Sequence, residues 1–183
     1  MGTLRTGAAA VIDAAKYSTA ETLRDGRRIE IRAVRPNDRA GLLAAVDRSS
    51  PQSLRRRFFG PKHFFSEKEI DFFTNVDFVD HVALVAVLSE AGETTIIGGG
   101  RYVMVRPGTA EVAFAVVDGF QGQGVGATLM RHITRIARDA GLKELIAEVL
   151  PENGPMLRVF ERSGLPCRTR REPGTLHIIL ELA

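Results

Sequence analysis

The chain predicts a mixed α/β layer, a central and mostly antiparallel sheet of about six to seven strands flanked by helices. Three observations carry this. Three strand-like runs separated by short turns fill His81–Val117, which is meander order. A glycine-rich stretch, QGQGVG at 121–126, then opens a long helical pattern that leads to another strand, and such a crossover supplies one right-handed parallel pair. Two further strand-like runs close the chain around Pro173-Gly174, which reads as a hairpin.

The elements follow in order. RRIEIRAV (Arg27–Val34) alternates charged and apolar residues at period two, the pattern of a half-buried strand. Pro36 follows, with Asn37 or Asp38 as the cap of a short helix over Ala40–Arg48. Ser50–Gly60 reads as a second helix, with Ser50 as cap, Pro51 in the first turn and Gly60 as stop. Ser66–Val76 is a third, with capping-box spacing from Ser66 to Glu69. His81–Glu90 is a strongly apolar strand, Glu90–Thr94 a turn, and Ile96–Val105 the return strand, where Gly98–Gly100 suggest a bulge or bend. Arg106–Gly108 turns into the strand Thr109–Val117. From Val125 the apolar positions Leu129, Ile133, Ile136, Ala137 and Ala140 fall on one helix face, and Gly141 ends it. Leu142–Leu150 is a strand, Asn153 opens a helix that closes at Gly164, and Leu165–Glu172 pairs with Thr175–Leu182.

The composition bounds the function. A chain of 183 residues with 44% hydrophobic and 26% charged residues fits one globular domain with its own core. Cys167 is the single cysteine, so no intrachain disulfide forms, in keeping with a cytoplasmic setting. No apolar run reaches transmembrane length, and no membrane partner is expected. Residues 1–22 read as a flexible arm or short helix and not a signal peptide, leaving 23–183 as the single domain. The net charge is +3 and the pI about 9.4. Neither a zinc pattern nor an aromatic-interleaved basic stretch accompanies the basic clusters Arg55–Arg57 and Arg168, Arg170, Arg171, so nucleic acid and metal are not expected. Arg55–Arg57 could meet an acidic partner but read better as solvated helix charges, with Phe58 and Phe59 anchoring their helix to the core.

The glycine-rich turn carries the chemistry. A helix N-terminus presents unpaired backbone N–H groups and partial positive charge, and glycines let a phosphate approach the backbone closely. Three phosphate loops compete. A P-loop needs Gly-Lys-Ser/Thr, but Ala127 and Thr128 follow Gly126. Gly122-Gln-Gly124-Val-Gly126-Ala127 matches the dinucleotide fingerprint formally, but that fingerprint follows the first strand of a parallel series, not three antiparallel strands. The third fits. Gln121-x-x-Gly124-x-Gly126, between a long strand and a long helix, resembles the acetyl-CoA pyrophosphate loop of the GNAT acyltransferase superfamily. The element order from about Arg27 onward and the Asn-started helix Asn153–Leu165 resemble that family too. SPQSLRRRFFG, FTNVDFVDHVALVA (Phe73–Ala86) and AEVAFAV (Ala110–Val116) resemble the bacterial Pat-like protein lysine acetyltransferases, which modify acyl-CoA synthetases.

The resemblance implies a GNAT fold with splayed strands at the acetyl-CoA site. It implies that Gln121, Gly122, Gln123, Gly124, Val125, Gly126 and Ala127 surround the pyrophosphate. Phe114, Ala115, Val116 and Val117 would hold the pantetheine arm through their backbone, and Asn153 would sit beside it or simply cap its helix. Glu111 is the expected general base, Glu148 the second choice, and His81 a third that reads better as structural. Phe160 occupies the position where many members carry a thiolate-protonating tyrosine, and reads as core packing. The expected reaction is acetyl transfer from acetyl-CoA to a protein lysine of an AMP-forming acyl-CoA synthetase type. A small-molecule amine acetyltransferase and a non-catalytic acyl-CoA sensor are the alternatives, and monomer or dimer stays open.

Overall fold

The computed structural model describes residues 11–62 and 64–182. Strands β1 (Ser18–Thr22) and β2 (Arg28–Ala33) come first, then helices α1 (Arg39–Asp47), α2 (Pro51–Phe58) and α3 (Glu67–Thr74). The meander β3 (His81–Glu90), β4 (Glu93–Arg106) and β5 (Thr109–Val116) leads through α4 (Val125–Asp139) to β6 (Glu144–Val149). Helix α5 (Gly154–Glu161), β7 (Cys167–Glu172) and β8 (Thr175–Glu181) complete the order. Among the described residues the strands form one open eight-stranded sheet, β1-β2-β3-β4-β5-β6-β8-β7, in which only β5 and β6 run parallel.

The strand that the sequence pattern does not reveal is β1. Ser18–Thr22 pairs antiparallel with Arg28–Arg32. Its STAET sequence alternates exposed and half-buried positions at a sheet edge, so it carries no apolar signature. Of the arm expected over 1–22, residues 1–10 lie outside the described region. The remainder holds a single helical turn at Ala14–Lys16 and then β1. Tyr17 Oη meets His132 Nδ1 at 2.5 Å, and the Ile12 N–H donates to Asp139 at 2.6 Å, docking this segment on α4.

The sheet has two unequal faces. Helix α4 packs on β3, β4 and β5 over the larger core. Leu129 and Ile133 on its inner face are fully buried, each contributing roughly 1.5–3 kcal/mol. The opposite face carries a smaller cluster around Val34, Ala83, Val85, Val87 and Ile96, covered by Leu42 and Ala45 of α1. The glycine run in β4 makes the first face possible. A Cβ at Gly100 would come within 2.6 Å of the Phe114 ring, and one at Gly98 within 2.9 Å of the Ala115 carbonyl. The bulge expected there is present, as the β3–β4 register shifts between Ala86 and Val87.

Three local expectations hold and three change. Ser50 and Ser66 cap α2 and α3, the latter as a capping box with Glu69, and Asn153 caps α5. Helix α2 stops one residue earlier than Gly60, because Phe59 itself takes the left-handed conformation at φ 62°. Phe59 is also 46% exposed; Phe58 alone anchors α2, edge-on to Phe65 and Phe73. Asp38 precedes α1 without capping it, since both its carboxylate oxygens accept from Arg32 at 2.7 Å. Its Oδ2 also accepts from the Arg35 N–H, which ties β2 to the start of the helical segment.

Candidate active site

Strands β5 and β6 pair only from Thr109 to Glu111 against Glu144 to Ile146. Beyond Glu111 they diverge, and among the described residues the β6-facing backbone of Val112–Val116 has no strand partner. Free amides at a fork are costly unless water or a ligand satisfies them. A cleft of about 630 Å³ opens there, a volume suited to a small-molecule ligand.

One end of the cleft is made of backbone. Gly122 and Gly124 adopt φ 75° and 96°, which side chains resist, and Gly124 sits at the head of α4 with no side-chain cap. The N–H groups of Val125, Gly126 and Ala127 are therefore the free first donors of α4. Gln121 holds the turn: its Nε2 donates to the Val116 carbonyl at 3.0 Å and to Ser53 Oγ at 3.1 Å. A Cβ at Gly126 would lie 3.4 Å from the Val159 side chain of α5, so α5 closes on this turn. The β1–β2 hairpin reaches this end as well. Arg24 lines the cleft, and Arg27 donates to Gln123 at 2.6 Å and lies over the Phe120 ring.

The other end is made of side chains. Pairing of Arg101 with Ala113 and of Val103 with Glu111 puts Arg101 and Glu111 on the same sheet face, the one covered by α1–α3. Glu111 is solvent-exposed on the cleft wall. Arg57 and Arg101 also line it, with Phe58, Phe65 and Phe73. Burial lowers the Arg57 guanidinium from its ordinary value, while the Glu111 charge opposes the shift. Burial, and then the Arg57 charge, bring Arg101 down to about 9, so it keeps its proton at neutral pH.

Of the residues singled out in the sequence, Glu111, Phe114–Val117, Gln121, Gly122, Gly124–Ala127 and Asn153 all line this one cleft. Gln123 does not; its side chain is turned to Arg27 and the Gly119 carbonyl. Glu148 lines the cleft and is hydrogen-bonded to His177 Nδ1. His81 is buried behind the wall, stacked on Phe72, with Nε2 3.0 Å from Arg101. Burial and the Arg101 charge push it down to about 4, so it is neutral at pH 7 and its lone pair accepts from the guanidinium. Phe160 is buried edge-on against Phe114, as expected of packing. The arginines of α2 are not simply solvated. Arg55 pairs with Glu152, Arg56 has a buried Nε without a partner among the described residues, and Arg57 turns into the cleft.

A family model for the acetyltransferase (GNAT) family matches residues 51–165, well over half of the chain. The chain belongs to the GNAT acetyltransferase family. An acetyltransferase of Pseudomonas aeruginosa is 34% identical over 126 residues, 68% of each chain. Acetyltransferase Pat of Mycolicibacterium smegmatis is 32% identical over 146 residues, 78% of this chain but only 42% of that protein. In three dimensions the crystal structure of the GNAT domain of S. lividans PAT matches with a TM-score of 0.81 at 33% identity. The match covers 90% of this chain and 96% of that one. A Salmonella typhimurium structure with acetyl-CoA bound shares the fold at 16% identity and a TM-score of 0.65, covering 84% of this chain and 92% of that one. This GNAT chain is thus an acetyltransferase on a Pat-like scaffold. Among its described residues no helix is long and apolar enough to cross a membrane.

Proposed function

We propose that this GNAT acetyltransferase moves an acetyl group from acetyl-CoA to a protein lysine ε-amine, with Glu111 as general base. The observation that carries the reading is the position of Glu111. It stands where β5 leaves β6, on the cleft wall, one end of which is the phosphate loop and the other the α1–α3 face.

The chemistry follows from the lining. The free amides at the head of α4 suit the pyrophosphate of acetyl-CoA, and the unpaired β5 backbone suits the amide-bearing pantetheine arm. A β5 N–H directed at the thioester oxygen would stabilise the negative charge that develops there. A lysine amine, with an ordinary pKa of ~10.4, must first lose a proton. Glu111 accepts it, directly or through water. The amine nitrogen then bonds to the acetyl carbon, the C–S bond breaks, and the thiolate leaves to be protonated by solvent, since Phe160 offers no acid.

A protein acceptor draws support from the Pat relatives and from the surface beside the cleft. Phe59, Phe64 and Phe72, around α2 and α3, are 46%, 81% and 47% exposed, an aromatic rim suited to a macromolecule. An AMP-forming acyl-CoA synthetase is the acceptor that the Pat resemblance suggests, in the cytoplasm where both would meet. The test is CoA release from acetyl-CoA with a folded synthetase, in parallel with a panel of small amines. Release only with the synthetase, with a matching mass gain on one of its lysines, is the expected result. Release only with small amines would remove the protein acceptor from the proposal.

A further inference from the structure

The acceptor end of the cleft holds more positive charge than an entering ammonium would favour. Arg57 from α2 and Arg101 from β4 both line it, against Glu111 on the same sheet face and Glu148 of β6, whose carboxylate is engaged by His177, while His81 behind them is neutral. Among the described residues Arg101 is held by neutral groups only. It donates to the Phe72 and Phe73 carbonyls at 3.3 and 3.4 Å, meets His81 Nε2, and lies 4.7 Å over the Phe73 ring. These contacts fix its direction without cancelling its charge. Arg57 forms no ion pair or hydrogen bond among the described residues. It stacks on Phe58 at 4.9 Å and senses Glu111 only at Coulombic range. Both arginines are half-buried, and a guanidinium partly shielded from water without an ion partner suits an anion.

We propose that Arg57 and Arg101 form a carboxylate-binding subsite, so that the preferred acceptor is an amine with a carboxylate a few bonds away. The register supports the spacing. Arg101 sits opposite Ala113, and Glu111 is the next residue along on that face, a diagonal of about 7–8 Å between the strands. One acceptor then spans both groups, its amine at Glu111 and its carboxylate at the guanidinium pair. The carboxylate has two sources, an acidic side chain flanking the target lysine or the acid group of a small amino acid. This subsite rests on Glu111 being the base, but not on the acceptor being a protein.

The experiment compares matched probes with acetyl-CoA. Lysine tripeptides with a flanking Glu or Gln form one arm, and 4-aminobutyrate and butylamine the other. The carboxylated member of at least one pair is expected to have the higher kcat/KM, by roughly 10- to 100-fold, as for a hydrogen-bonded charge. Arg57→Gln should collapse that ratio toward one, and Arg57→Lys, which keeps the charge but loses the fork, should retain part of it. CoA affinity of each variant, read by calorimetry, reports that the fold is intact. Equal rates within both pairs, or a ratio that survives Arg57→Gln, would overturn the subsite. So would the absence of both turnover and saturable binding for every carboxylated probe. Preference confined to the tripeptides assigns the carboxylate to a protein. Preference confined to 4-aminobutyrate keeps the subsite and discards the protein acceptor.

Discussion

The two ends of the cleft are built from different materials. The loop end, from Gln121 to Ala127, is backbone. Its glycines adopt conformations that side chains resist, and the head of α4 supplies the donors. The Glu111 end is side chain, gathered from α2, β4 and β5. A backbone site suits what all acyl-CoA donors share, the phosphates and the amide arm, as the proposed function requires. A side-chain site can change with one substitution, which suits the proposed acceptor end. The difference teaches that substitutions at one end should alter donor affinity and at the other end acceptor turnover, with little cross-talk.

The largest effect that would break or sharpen this contrast belongs to Glu111→Gln. It keeps the size of the side chain and removes the proposed base, so kcat/KM for the acceptor should fall by roughly 10²- to 10⁴-fold. Calorimetry should find CoA affinity unchanged. Turnover at the parent rate would remove Glu111 from the mechanism.

Asp38→Ala tests the frame that holds the acceptor helices and not the chemistry. It leaves Arg32 buried without its partner, which costs about 3–5 kcal/mol in urea unfolding. Burial alone would raise the Asp38 pKa, but the Arg32 and Arg35 contacts outweigh it and the net shift is downward. The sign is therefore that of a stabilising carboxylate. The contribution is full above the ordinary value of 3.8 and is lost as pH falls below it. A stability profile of the parent protein that drops in this acid range, and a flatter profile for Asp38→Ala, are the expected results.

Gly124→Val is the smallest change and addresses the loop end alone. At φ 96° a β-branched residue is strained by about 1–3 kcal/mol. CoA affinity should weaken about tenfold as the loop relaxes away from that conformation, while the preference among acceptors stays the same. A shift in acceptor preference without a loss of CoA affinity would contradict the division between the two ends.

Much of the frame was legible in the sequence because it obeys local rules. The Ser66–Glu69 box, the period-two strands and the α4 stripe each follow from neighbours within a few residues. The edge strand β1 was not, because STAET gains its pairing from β2 and has little apolar pattern of its own. Gln123 sits in the middle of the loop motif, yet Arg27 from a distant hairpin decides where its side chain goes. Arg57 and Arg101 look like ordinary charges, one on a helix and one in a strand, 44 residues apart by subtraction of their positions. Arg57 was visible in the sequence only as one member of the basic cluster Arg55–Arg57, and Arg101 only as an arginine interrupting the apolar run of β4.

By itself, then, the sequence determined the fold class, the loop that opens α4, and Glu111 as the carboxylate on the strand before it. Backbone conformation and apolar periodicity are local properties, so a short window carries them. The resemblance implied that β5 and β6 splay, but only the tertiary structure decided that they part just after Glu111 and that two guanidiniums share that wall. Strand register and charge proximity depend on which distant segments pack together, and no window along the chain holds both partners.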